Sequence, residues 1–142
     1  MKYFILIGTQ FLLILFLFLS GPIFISFFPF NLIQIFSIFF ICWALLERVL
    51  HRKQEHSKSA YIYFLKTGPY EFIRHPIYAG ILLFASSAAQ GEFTFLRFLD
   101  FLLFLFLIIL KIKRDEQLTL AHFKHEYSEY SKNTKQLIPY AY

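Results

Sequence analysis

The sequence predicts an all-α membrane protein, a polytopic helix bundle with about four transmembrane helices and a C-terminal amphipathic cytoplasmic helix. Three observations predict this class. Apolar residues make up 58% of the 142 positions, and 21 positions are Phe. A globular domain of this size has too little interior to bury so much aromatic surface. Charged residues are only 16% of the chain, and they cluster between long apolar runs.

Four apolar runs are the predicted spans of a single domain that covers residues 1–142. They comprise residues 3–20, 23–46, 76–90 and 93–110. Pro22 ends the first run, which its length identifies as a retained span rather than a signal peptide. Pro29 and Asn31 predict that the regular helix of the second run begins near Asn31. The third run is short and rich in Ala, Gly and Ser, which predicts a central position because small residues let helices approach closely.

The basic residues predict the topology. Thirteen of the fourteen Lys and Arg residues lie at Lys2, in the polar loop 47–75 or in the tail 111–142, and the exception is Arg97. The positive-inside rule makes these segments cytoplasmic, so both termini are expected on that side. The net charge of +5 is thereby explained by residues flanking the spans, and it does not indicate a nucleic-acid partner.

The tail is predicted to form an amphipathic helix. Leu120, Phe123, Tyr127 and Tyr130 recur at helical spacing among charged residues. Such a helix either lies on anionic membrane lipid or covers a site between the helices.

Several other polar residues have simpler interpretations. Arg97 and Asp100 are three apart and are predicted to pair near the outer surface. His122 and His125 are predicted to be surface residues, and His51 a residue of the cytoplasmic loop. The sequence therefore predicts no metal site, and it contains no glycine-rich phosphate loop.

The densest polar cluster lies where the cytoplasmic loop meets the third span. It reads T-G-P-Y-E-F-I-R-H-P-I-Y-A-G over residues 67–80. Pro76 suits the first turn of a helix, so Arg74 and His75 would lie at that helix's N-terminus. The N–H groups there favour an anion such as a carboxylate. The alternative is that Arg74 is only a topology charge and His75 only a helix cap.

A second cluster follows the fourth span. Asp115 and Glu116 are adjacent, and they lie next to Lys111, Lys113 and Arg114. Such a mixed group is usually a solvated face. Two carboxylates near a membrane surface would also suit a small cationic ligand.

Together these clusters resemble the isoprenylcysteine carboxyl methyltransferase and phospholipid methyltransferase superfamily of integral membrane enzymes. The resemblance rests on T-G-P-Y-x-x-x-R-H-P-x-Y-x-G at 67–80 and on the acidic pair at 115–116. It also includes F-x-x-E-Y-x-x-Y at 123–130 and I-P at 138–139. Members of that superfamily use S-adenosyl-L-methionine, which they hold at the cytoplasmic ends of the last spans beneath the C-terminal helix.

The resemblance implies specific site residues. Cofactor contacts would come from Ile62, Tyr63, Phe64, Leu65, Tyr70, His75, Pro76, Ile77, Tyr78, Asp115 and Glu116. Catalytic roles would fall on Arg74, His75 and Glu116, and acceptor contacts on Arg74 and Lys111. The sequence departs from the family pattern at Asp115, where Glu is usual, and at Lys111, where Arg is common.

The resemblance implies methyl transfer to a lipid-like or prenylated acceptor, with carboxyl O-methylation of the isoprenylcysteine type favoured. Isoprenoid acids and phospholipid headgroups are alternative acceptors. The tail I-P-Y-A-Y at 138–142 also resembles membrane sterol reductases, which bind a nicotinamide cofactor. A non-catalytic membrane scaffold on the same fold is a third interpretation.

Overall fold

The computed structural model describes residues 2–22, 24, 27–54, 65–91 and 93–137. Four α-helices are present in these ranges: α1 (Lys2–Leu19), α2 (Phe30–Gln54), α3 (Pro76–Gly91) and α4 (Phe95–Asn133). A short 3₁₀ helix, Gly68–Glu71, precedes α3. The described ranges contain no β-strand, so the predicted all-α class is confirmed.

The second helix begins where the sequence predicts and ends later. α2 starts at Phe30, directly after Pro29, but it continues to Gln54 instead of ending near Leu46. The extension is a run of good helix formers without Gly or Pro. His51 is therefore a residue of α2, and its predicted place in a loop is wrong.

The fourth span and the tail are one helix with a kink. α4 runs from Phe95 to Asn133, and Lys124 within it has φ 28° and ψ −96°. The kink separates the residues that were predicted to share one face. Leu120 is 46% exposed, whereas Tyr127 and Tyr130 beyond the kink are buried. The expected continuous stripe is therefore broken into two parts with different surroundings.

The third helix is central, as its small residues predict. α3 contacts each of the other three helices. Gly80 lies so close to α2 that an added Cβ would clash with the side chain of Ile41. Ser87 donates a hydrogen bond of 2.9 Å to the carbonyl of Phe30. Small side chains thus bring α2 and α3 into close contact and fix the position of α3 against α2.

One segment within the described residues, Phe30–His51 of α2, is long and apolar enough to cross a membrane. The apolar stretch Ile7–Leu17 of α1 is shorter. The part of the chain that the structure describes thus contains one helix of membrane-spanning length and composition, and the predicted set of four spans is not confirmed.

Candidate functional site

A turn at Gly68-Pro69 shapes the approach to the site. Gly68 has a φ of +60°, and a Cβ there would lie 3.0 Å from Cδ of Glu47. Both the conformation and the space therefore favour glycine. Pro69 follows at the start of the 3₁₀ helix, where it and Tyr70 are buried.

Tyr70 connects three parts of the fold. Its hydroxyl donates to the carbonyl of Ala44 in α2 over 3.4 Å. Its own carbonyl accepts a hydrogen bond of 2.6 Å from the hydroxyl of Tyr130. The polar groups of Tyr70 thus hold α2 and the end of α4 together, and its predicted contact with a cofactor stays a prediction.

The part of the tail that follows α4, residues 134–137, pairs with the segment just before α3. The N–H of Arg74 donates to the carbonyl of Lys135 (2.8 Å), and the N–H of His75 donates to the carbonyl of Gln136 (3.2 Å). The N–H of Lys135 donates back to Phe72 (3.2 Å), forming a short parallel bridge. The main-chain N–H groups of Arg74 and His75 are thus used within the protein.

The first turn of α3 follows directly after this pairing. The first α-helical bond of α3 runs from the N–H of Ala79 to the carbonyl of His75 over 3.0 Å. Pro76 has no N–H, so Ile77 and Tyr78 carry the N–H groups that precede this bond. The positive end of the helix dipole lies at this point and favours an anion nearby.

The side chain of Arg74 lies in a dense network with Glu116. Its Nε donates to Glu116 Oε1 over 2.7 Å. Its Nη1 donates to the carbonyl of Ser131 over 3.0 Å and to the carbonyl of Thr134. One guanidinium therefore joins the start of α3, the middle of α4 and the residues at the C-terminal end of α4.

Glu116 accepts hydrogen bonds from further donors. Gln136 Nε2 donates to Oε2 over 2.7 Å. His75 Nε2 lies 3.3 Å from Oε1, and since an ionised carboxylate only accepts, the imidazole is the donor. Tyr127 lies close enough to Glu116 for the carboxylate to act on its hydroxyl. We call Arg74, His75, Glu116, Tyr127 and Gln136 the Arg74–Glu116 network.

The network sets the charge of Glu116. Burial by itself raises the pKa of this carboxyl, but hydrogen bonds from His75 and Arg74 and the charge of Arg74 outweigh it. The pKa falls from 4.5 to about 2. Burial and the neighbouring Glu116 raise the pKa of Tyr127, so its hydroxyl keeps its proton. Glu116 is therefore a stable anion and a poor proton acceptor at neutral pH.

A second group of polar side chains adjoins the network, and we call it the Tyr78 patch. The hydroxyl of Tyr78 donates to Asp115 Oδ2 over 3.2 Å. The rings of His75 and Tyr78 stack with centroids 5.8 Å apart and an interplanar angle of 23°. Lys111 Nζ lies over the Tyr78 ring, 5.1 Å from its centroid. A π-face and a carboxylate at its edge are suited to a small cation.

An apolar groove lies beside these polar groups. Its volume is about 710 Å³, and it is lined by Phe36, Phe40, Trp43, Pro69, Phe72, Ile73, Ala79, Leu82, Leu83, Ser86, Phe101, Leu105, Ile109 and Leu137. Ser86 is the only one of these side chains that is polar. Ile73 precedes Arg74 and Leu137 follows Gln136, so the groove adjoins the Arg74–Glu116 network.

The structure thus brings together most of the predicted site residues. Arg74, His75 and Glu116 meet directly, and Tyr78, Asp115 and Lys111 form the neighbouring patch. Leu65 is half-buried on the approach to the motif. Ile62, Tyr63, Phe64 and the I-P segment at 138–139 lie outside the described residues.

Sequence reasoning missed other participants. Ser131, Thr134 and Gln136 are brought to the network by the kink and by the pairing of the tail. Local sequence carries no signal for these contacts. A further cluster was missed because His51 was assigned to a loop. His51 Nδ1 lies 3.1 Å from the carbonyl of Glu47, and Nε2 lies 3.3 Å from Thr67 Oγ1, which joins the end of α2 to the turn.

No family model, curated protein or solved structure matches the chain. The resemblance to membrane methyltransferases therefore rests on the motif residues quoted above.

Proposed function

We propose that the chain is an integral membrane methyltransferase that uses S-adenosyl-L-methionine and methylates a lipid-like acceptor. One observation carries the proposal. The two halves of the motif, at Arg74–Tyr78 and Asp115–Glu116, are far apart in sequence and meet beside a large apolar groove. This juxtaposition supports a site for a polar cofactor next to a site for an apolar acceptor.

The residues present fit the cofactor's functional groups. Asp115 offers a carboxylate for its ammonium, and the N-terminus of α3 offers the positive end of a helix dipole for its carboxylate. The rings of Tyr78 and His75 offer faces for its sulfonium or adenine. When bound, S-adenosyl-L-methionine supplies an electrophilic methyl group.

In this proposal Arg74 and Glu116 are positioning residues. Their side chains bond each other and the tail, so they hold His75 and the end of α4 beside the Tyr78 patch. Alignment and exclusion of water are the main needs of methyl transfer, and a rigid network supplies them.

The charge state of the network favours a carboxylate acceptor. Glu116 has a pKa of about 2 and makes a poor general base. The hydroxyl of Tyr78 donates a hydrogen bond to Asp115. A carboxylate acceptor has no proton to lose, so it suits such a site better than an amine or a phenol does. The favoured reaction is therefore carboxyl O-methylation of an isoprenylcysteine-type acceptor, whose apolar chain would occupy the groove and whose carboxylate would meet Lys111.

Binding of labelled cofactors to the purified protein in detergent tests the proposal. We expect S-adenosyl-L-methionine to bind and a nicotinamide nucleotide not to bind. Binding of the nicotinamide nucleotide alone would support a membrane reductase instead, and binding of neither would support a scaffold. Methyl incorporation into a prenylcysteine analogue, compared with a total lipid extract, then identifies the acceptor class.

We also propose four spans with both termini and the site on the cytoplasmic side. The distribution of basic residues supports this arrangement. Reporter fusions at Gly21, Lys58, Gly91 and Tyr142 should report outside, inside, outside and inside in that order. An external signal at Lys58 would contradict the topology.

A further inference from the structure

Lys111 holds a position that a cationic ligand would need. Its ammonium nitrogen lies over the Tyr78 ring, 5.1 Å from the centroid. Lys111 and Asp115 are one helical turn apart on α4, so they face the same side of that helix. The hydroxyl of Tyr78 donates to Asp115 at the edge of the same ring. The ammonium of Lys111 therefore already lies on the Tyr78 ring that would attract a ligand's cation.

Two cations would compete for one ring face. Cation–π attraction is significant within about 6 Å of the centroid, and two positive charges in that space repel each other. The imidazole of His75 is also stacked against Tyr78, which further limits the accessible ring surface. A ligand cation can use the Tyr78 patch only after Lys111 leaves it.

We infer that Lys111 is an internal competitor that weakens the binding of a cationic cofactor to the Tyr78 patch. The inference rests on the proposed function and concerns the same site. The sulfonium of S-adenosyl-L-methionine must displace the ammonium of Lys111 from the Tyr78 ring in order to bind there. In the product, S-adenosylhomocysteine, the sulfur is a neutral thioether with no such attraction to the ring, so Lys111 can stay on Tyr78 and does not compete with it. Lys111 is thus an affinity-setting residue that limits how tightly the cofactor binds and leaves the affinity for the product nearly unchanged.

Lys111→Met is the direct test, because Met is unbranched and similar in length to Lys but carries no charge. Lys113→Met is the matched control, since Lys113 is an exposed Lys on the same helix. Calorimetry in detergent gives the affinity of each variant for S-adenosyl-L-methionine and for S-adenosylhomocysteine. We expect Lys111→Met to bind S-adenosyl-L-methionine about 2- to 30-fold more tightly, the range that corresponds to one cation–π contact. Its affinity for the neutral product should change less than twofold, and Lys113→Met should change neither.

A double-mutant comparison separates competition at the ring from a general change in charge. Tyr78→Leu removes the π-face, so adding Lys111→Met to it should no longer tighten binding of S-adenosyl-L-methionine. Tyr78→Phe keeps the face, and the effect of Lys111→Met should persist there.

The outcomes distinguish the inference from the proposed function. If the wild-type protein binds S-adenosyl-L-methionine but Lys111→Met leaves its affinity unchanged or weaker, Lys111 is not a competitor and the proposed function still stands. Equal tightening for cofactor and product would also overturn the inference. If the wild-type protein binds neither, both the inference and the proposed function are wrong.

Discussion

Glu116 and Asp100 are acids on the same helix with different surroundings. The side chain of Glu116 is 17% exposed, and it accepts hydrogen bonds from Arg74, His75 and Gln136. Asp100 is 8% exposed, and within the described residues its Oδ2 has no hydrogen-bond partner. Burying a carboxylate is costly unless donors compensate for the lost water. The donors around Glu116 come from distant segments and offset the loss of water, so Glu116 holds these segments together. At Asp100 the donors offset that loss incompletely.

The largest expected effect comes from removing Arg74. Arg74→Ala leaves the Glu116 anion without its strongest partner and takes the donor from the carbonyls of Ser131 and Thr134. Such a loss costs about 3–5 kcal/mol. We expect the tail to undock, while membrane insertion, which depends on the apolar helices, is retained. Thermal unfolding in detergent measures the stability.

The same variant should lose methyl transfer, and so should His75→Ala. Methyl incorporation from labelled S-adenosyl-L-methionine measures this in membranes that contain equal amounts of each protein. Lys113→Ala serves as the control because its side chain is exposed. Wild-type turnover in both Arg74→Ala and His75→Ala would remove the proposed site.

A matched pair of neutral substitutions tests the comparison of the two acids itself. Glu116→Gln removes the charge that Arg74 and His75 stabilise, so we expect a loss of about 1.5–3 kcal/mol. Asp100→Asn removes a charge whose burial is poorly compensated, so stability should be unchanged or higher. The unfolding midpoints of both variants and of the wild type, measured in one detergent, give the two changes in stability. A larger loss for Asp100→Asn than for Glu116→Gln would reverse our interpretation.

Asp115 is intermediate between these two acids, because its carboxylate accepts a hydrogen bond from the hydroxyl of Tyr78 and a ligand would complete its surroundings. If it binds the cofactor's ammonium, Asp115→Asn should weaken the affinity for S-adenosyl-L-methionine about 10- to 150-fold, which corresponds to one charge-assisted hydrogen bond. Asp115→Glu introduces the residue usual in the superfamily that the motif resembles, and it should bind at least as well as the wild type. Calorimetric affinities within twofold of wild type for Asp115→Asn would refute this role.

Lowering the pH should gradually remove the contribution of the ionised Glu116 carboxylate to the stability of the fold. Its pKa is about 2 in the folded protein and 4.5 in the absence of the fold. A depressed pKa stabilises the fold above pH 4.5, and this contribution is lost as the pH falls from 4.5 towards 2. The difference in unfolding midpoint between the wild type and Glu116→Gln should shrink over that interval. A difference that does not depend on pH would mean that the charge of Glu116 is not what stabilises the tail.

The sequence alone predicted the all-α class, the starts of two helices and most residues of the candidate site. Pro29 and Pro76 marked the starts of α2 and α3, because proline fits the residues before a helix and its first turn. Small residues identified α3 as the central helix. The motif identified Arg74, His75, Tyr78, Asp115 and Glu116 as a group. These signals are local or depend on residue type, so a single sequence carries them.

Only the tertiary structure decided which groups bond to each other. Arg74 pairs with Glu116 and the tail, and Gln136 completes the pair, because the kink at Lys124 and the parallel bridge bring the tail back to the start of α3. The same pairing uses the main-chain N–H groups of Arg74 and His75 within the protein. Hydrogen bonds between distant segments depend on the path of the whole chain, and no local pattern of residues encodes that path.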